Sequence, residues 1–430
     1  MSGPDASGRG LLRLAALGGA RALAAGLGLL ATLQLAPAAG PELLGQWSML
    51  LAVQGWGLHL SECGLRSVVT AEGAASIGGP RRLLPAYLGT RLLLASLVTG
   101  LLLLAVAVLA PERLGAAALV LSSLFAIALQ LDWLALVDDR PVLAGTLLLV
   151  RPTAWCLLLA LAGTALDLDR LAALFALAWA LAALATWPLL RGTPRATLAG
   201  VGEPLSASRM LRLGIPLALV TLTNQGLLAA DLLLVGLVLG AERAGAYYLA
   251  SSLVVAGLVL ANAANQIATA RIGALRVDRK AARAELRRQL RTATLIGTAL
   301  AAAGALLGPP LVALLFGPAF AETGPLLLAL LPWLALQHPS AVLQGALAGA
   351  RGQRALLLGN LAMTLALATG LALALGFGSA IGCALARTLA ETVRTVMLAR
   401  AARAIFAAPQ QDTVAECPPI ATLASSAPSR

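Results

Sequence analysis

Charge is scarce in this 430-residue chain: only 12% of residues are Asp, Glu, Lys or Arg, and 59% are hydrophobic. A soluble domain carries about 25% charged residues, so this chain cannot cover itself with a wetted surface. Its mean hydropathy is +0.87. Histidine is limited to His59 and His338, lysine to Lys280, and cysteine to Cys63, Cys156, Cys383 and Cys417. The cysteines are scattered without a C-x-x-C pair, so neither a disulfide framework nor a metal site follows. No G-x-x-x-x-G-K-[ST] loop is present, hence no nucleotide motor, and neither H-E-x-x-H nor G-x-S-x-G occurs. No long external loop is expected that would present an acid/base pair. These gaps point away from catalysis, away from cofactors and toward transport.

What is present is a series of long apolar runs. They read as twelve spans, at 11–37, 46–70, 83–109, 114–137, 142–165, 171–190, 212–238, 246–270, 292–316, 324–349, 355–375 and 378–400. The expected fold is an all-α polytopic membrane protein of about 12 transmembrane helices in two parallel six-helix bundles. The bundles take residues 1–190 and 212–403, with a cytoplasmic linker at 191–211 and a disordered tail at 404–430. A net charge of +12 would suggest nucleic acid in a soluble protein. Here the arginines are topogenic instead. Twenty-two Arg and Lys fall in segments on one side, Arg140 and Arg151 among them, against Arg113, Arg170 and Arg243 on the other. That bias puts both termini in the cytoplasm. The basic run Ile272–Arg291 is expected to be a helix lying along the inner leaflet, against anionic headgroups.

The chain also repeats itself. Gly40, Glu42, Gly45 and Trp47 stand opposite Gly240, Glu242, Gly245 and Tyr247 at a constant offset of 200. Each half therefore opens with a similar hydrophobic hairpin.

Ionisable residues where lipid belongs carry the functional signal, because each is costly at mid-membrane and faces a bundle interior or a watery cavity. Arg21 lies inside span one. On span two, His59, Glu62 and Arg66 share a face, with Glu62 and Arg66 an i, i+4 pair. Asn224, Gln225 and Asp231 interrupt span seven. Asn262, Asn265 and Gln266 form a stripe on span eight leading to Arg271. These four helices are expected to converge on one central cavity. The structural alternatives are a self-neutralising Glu62–Arg66 pair, amide glue between helices, and an Asp231 that simply pairs with an arginine. Asp132, Asp138, Asp139 and Arg140 read as interface charges.

The hairpin pattern G-[AP]-E-x-x-G-x-[WY], with L-R-L-G-I-P, N-Q, D and G-A-E-R-A-G-A-Y-Y in the second half, resembles the polysaccharide-biosynthesis flippases. These belong to the multidrug/oligosaccharidyl-lipid/polysaccharide (MOP) exporter superfamily. L-Q-G-A-L-A-G-A-R-G-Q-R at Leu343–Arg354 resembles a cytoplasmic turn of that family. The resemblance implies export of an undecaprenyl-diphosphate-linked glycan across the bacterial inner membrane by alternating access. Cell-surface polymers such as lipopolysaccharide are the implied product, and a polysaccharide polymerase the implied protein partner. By position Arg21 and Arg66 match the family's basic cavity residues, and Arg271 would guard the inner mouth. Span seven carries no arginine beyond Arg212, so such a site would be lopsided. Lipid II flippases usually carry two further spans, which makes a peptidoglycan precursor the weaker candidate. The competing readings are a cation-coupled multidrug antiporter of the same superfamily, using Asp231 or Glu62, and a major-facilitator-type carrier. A membrane glycan polymerase lacks its external loop, and a scaffold does not explain Arg21.

Overall fold

A backbone in hydrocarbon must satisfy its own hydrogen bonds, and a helix does so within one segment. A computed structural model describes residues 5–75, 83–163, 165–191, 206–222, 227–275, 278–350 and 352–407. Among them every extended element is an α-helix. In order these are α1 (Asp5–Glu62), α2 (Leu65–Ala75), α3 (Leu84–Leu109), α4 (Leu114–Ala128), α5 (Asp132–Val137), α6 (Pro141–Ala162), α7 (Leu168–Thr186), α8 (Ala207–Thr221), α9 (Leu227–Leu239), α10 (Ala241–Ala274), α11 (Arg279–Phe316), α12 (Thr323–Gly349), α13 (Gln353–Gly376) and α14 (Ala380–Ala407). Among the described residues nine helices are long and apolar enough to cross a membrane. The chain is a multi-pass membrane protein. Side chains such as Leu101 (67% exposed) and Val108 (73% exposed) on α3 make a face suited to lipid rather than water.

Four expected spans differ in detail. The apolar part of α1, Leu17–Glu62, is 46 residues long, or about 69 Å at ~1.5 Å per residue against a hydrocarbon core of ~30 Å. That is long enough for the two expected crossings, and the helix is divided at Gly40, whose φ of 69° and ψ of 172° break it. The expected fourth span is split by a turn between α4 and α5. The Leu131 N–H released there is taken up by the Thr186 hydroxyl at 3.1 Å, as a buried donor requires. Within the expected seventh span α8 and α9 are described, and residues 223–226 between them lie outside the described residues. The basic run before the ninth span is not a separate helix. From Arg279 on it is continuous with the 38-residue α11, capped by the Asp278 side chain accepting from Ala281 N at 2.9 Å. The linker at 192–205, the tail at 408–430, and Asn224 and Gln225 lie outside the described residues.

Helices of the first 190 residues pack on one another, α1 against α6, α3 and α4, and α7 against α4 and α6. In the second half α12 packs on α10, α11 and α14, and α13 on α14. The two sets meet where α1 crosses α9 and α10, and where α2 meets α8. The first crossing is reciprocal. A Cβ on Gly45 would overlap the Ala241 carbonyl, and one on Gly245 would overlap the Pro41 carbonyl. Residues matched at an offset of 200 thus make the same contact in both directions, the mark of a two-fold relation. Gly40 and Gly240 also share a conformation, with φ of 69° and 98°. At the second crossing a Cβ on Gly64 would overlap the Gly214 carbonyl, and one on Gly214 would overlap the Cys63 carbonyl. Small residues are what let membrane helices approach this far.

Candidate functional site

Asp231 on α9 is fully buried. It accepts from Tyr247 Oη at 2.7 Å, from Arg387 Nη2 at 2.8 Å and from the Leu232 N–H at 2.7 Å, and Arg387 Nε also pairs with it. The Arg387 guanidinium, on α14, lies 5.0 Å from the Trp333 ring centroid and 5.7 Å from that of Tyr247, within cation–π range. Three helices are thereby tied through one carboxylate. Removal of either charge would leave the other stranded in low dielectric.

Two turns further along α14, Arg394 donates to Glu391 at 2.6 Å and to Gln337 Oε1 at 3.2 Å. Gln337 Nε2 donates to Glu391 Oε2 at 3.0 Å. Arg387, Glu391 and Arg394 sit at i, i+4 and i+7 and so share a helix face. That face borders a cavity of about 610 Å³. Its polar lining comprises His59 of α1, Tyr248, Asn262 and Asn265 of α10, Gln337 and Gln344 of α12, and Arg387 and Arg394 of α14. From the first set of helices only α1 contributes to this wall, through Ala25 and His59.

The first set carries a different charge pattern. Arg66 is paired with Asp132. Arg91 of α3 is 3% exposed and donates to the Ile127 carbonyl at 3.2 Å, with no carboxylate partner. Arg151 stands at the middle of α6, over the Trp179 ring at 4.8 Å and within electrostatic reach of Tyr248. Arg21 is exposed, one turn before the cavity residue Ala25. Among the described residues neither Arg21 nor Arg151 has a carboxylate partner.

The structure thus sorts the expected residues. His59, Asn262 and Asn265 line one cavity, and Asp231 stands behind its wall, bound to the lining residue Arg387. Gln266 is half-buried beside the stripe without lining that cavity. The expected Glu62–Arg66 helical pair does not form. The helix turns at Cys63 (φ 44°) and Gly64 (φ 67°), which carries Arg66 onto α2 and to Asp132. Asp132, expected as an interface charge, is instead 7% exposed and ion-paired. Arg271 is exposed and bonded to Glu285 of α11 at 3.1 Å, which places it off the cavity. Arg151, counted with the inner-side loop charges, belongs to the interior of a span. Arg387, Glu391 and Arg394 escaped the sequence reading. Their i, i+4, i+7 spacing was a usable signal, and their charge keeps α14 out of the nine strongly apolar helices. Among the described residues no cluster of His, Cys, Asp or Glu could hold a metal ion.

Residues 202–325 match the family described as polysaccharide biosynthesis protein. No curated protein matches the chain in sequence. Among solved structures, the lipid II flippase MurJ in an inward closed conformation is similar with a TM-score of 0.70 at 14% identity, over 90% of this chain and 88% of that one. An inward-facing multidrug resistance MATE family transporter of the MOP superfamily gives 0.65 at 15% identity, over 88% and 94%. A MOP superfamily transporter from Pyrococcus furiosus, described as having a binding pocket of reverse polarity, gives 0.60 at 15% identity, over 91% and 96%. The likeness read in the hairpins is borne out: the opening of the second half carries the polysaccharide-biosynthesis family pattern, and the whole chain has the fold of the MOP-superfamily transporters and flippases.

Proposed function

We propose that the chain is a flippase that moves a lipid-diphosphate-linked oligosaccharide from the inner to the outer leaflet by alternating access, for cell-surface polysaccharide assembly. In this reading residues 1–190 and 212–403 are two six-helix bundles, twelve spans in all, in a bacterial inner membrane with both termini in the cytoplasm. The observation that carries it is the division of charge around the cavity. Among the described residues Arg21 and Arg151 of the first bundle have no carboxylate partner and stand near the cavity without lining it, Arg21 one turn from Ala25 and Arg151 within electrostatic reach of Tyr248, whereas the second-bundle wall is amide-rich and internally neutralised. A diphosphate wants arginine, whose planar fork makes paired, charge-assisted bonds and stays ionised when buried. A glycan wants amides and hydroxyls, and the lipid tail stays in the bilayer. In this reading the site is lopsided, because the second bundle's arginines come from α14 and are already engaged.

Asp231 supports this reading over the antiporter. An exchangeable cation needs a carboxylate free to change partners, and Asp231 is closed on Arg387 and Tyr247. The test is reconstitution with an undecaprenyl-diphosphate-linked saccharide, following headgroup access from outside the vesicle. Flipping by the wild type that falls in Arg21→Ala supports the reading. No flipping, together with cationic-dye efflux lost in Asp231→Asn, would assign the protein to the antiporters.

A further inference from the structure

The α14 wall holds its charges in closed pairs. Asp231, Arg387, Glu391 and Arg394 are each 5% exposed or less. Arg387 and Arg394 line the cavity, and neither Asp231 nor Glu391 does. Two guanidiniums and two carboxylates leave this wall without net charge. Around it stand Asn262, Asn265 and Gln344, whose amides both donate and accept, as sugar hydroxyls require, while Gln337 is engaged by Glu391 and Arg394.

We infer that the α14 wall is the sugar subsite, and that Asp231 and Glu391, by occupying Arg387 and Arg394, select uncharged sugars over acidic ones. This deepens the proposed flippase reading and depends on it. The hydroxyls of a neutral sugar bond the amides and the outward N–H groups of the two arginines without disturbing either pair. A sugar carboxylate has two options, both unfavourable. It displaces Asp231 or Glu391 from its guanidinium and strands a buried anion, or it sits beside those carboxylates unpaired, where low dielectric magnifies like-charge repulsion. Selection therefore works by exclusion, through repulsive elements built behind the contact surface.

The probes are two polyprenyl-diphosphate disaccharides differing only in a terminal hexose against its uronic acid, each flipped in proteoliposomes. The wild type is expected to flip the neutral lipid at least about tenfold faster, given what like-charge juxtaposition costs. Glu391→Gln, which frees Arg394 from its carboxylate, is expected to narrow that ratio by speeding the uronate. Equal wild-type rates overturn the inference and leave the flippase standing. A ratio unchanged in Glu391→Gln overturns the role of Glu391. If neither lipid is flipped, the proposed function falls and the subsite with it. The wild-type ratio needs no variant, so a Glu391→Gln chain that fails to fold does not protect the inference.

Discussion

At the scale of single residues, the Asp231–Arg387 pair is a buried polar tie between helices of the second half. Breaking such a pair by deleting one partner costs about 3–5 kcal/mol, because the other charge is left in low dielectric, while replacing both with apolar groups is often neutral. Asp231→Ala is therefore expected to lower the unfolding temperature in detergent sharply, and Asp231→Leu with Arg387→Met to recover most of the loss. An Asp231→Ala protein as stable as the wild type would contradict the pairing. Asp231 was legible in the sequence as a polar group inside an apolar run. Its partner was not, since 156 residues separate them and no local rule chooses one arginine among many. Arg66 shows the reverse failure. The i, i+4 rule presumes an unbroken helix, and the turn at Cys63–Gly64 withdraws that premise.

At the scale of helices, the reciprocal Gly45–Gly245 contact holds α1 against α10. A methyl group at either position meets a backbone carbonyl, which cannot turn aside as a side chain can. Overpacking of this kind costs about 1–3 kcal/mol. Gly245→Ala is expected to lower stability by that amount and to slow transport. Gly55→Ala, on α1 with nothing near the added methyl, is expected to leave the unfolding temperature unchanged or slightly raised. Equal behaviour of the two variants would refute the close approach. The repeat behind this contact was legible, because only glycine tolerates the conformation at Gly40 and Gly240 and the backbone approach at Gly45 and Gly245. The break after α4 was not, since apolar composition is the same on both sides of it. The run into α11 was read as separate because composition changes at Arg291, but a helix ends where capping ends it, and no cap stands there.

At the scale of the whole molecule, hydropathy alone sufficed to read a polytopic helical membrane protein, since a chain with so little charge has no other way to satisfy its surface. The proposed orientation rests on the positive-inside bias, which survives the transfer of Arg151 from loop to span. Lys280, the sole lysine and exposed at the start of α11, reports it. A membrane-impermeant amine reagent is expected to modify the Lys280 peptide in inverted vesicles and not in right-side-out ones, and the opposite pattern would reverse the topology. The cavity's location was legible from the repeat, and its chemistry only in part. The amides of α10 were named in advance, whereas α14 was read for length and not for its charged face. The central claim is that a diphosphate crosses beside this cavity, held by Arg21 and Arg151 of the first half, which have no carboxylate partner among the described residues. About two negative charges moving outward release roughly 4–5 kcal/mol per 100 mV in a cell negative inside. The most direct measurement is the rate of undecaprenyl-diphosphate-saccharide flipping at imposed potentials of either sign, in wild type, Arg21→Ala and Arg151→Ala. The expected result is faster outward flipping with a negative interior, falling at least about tenfold in both variants as a charge-assisted contact is lost. Flipping indifferent to the sign of the potential and to both arginines would contradict it.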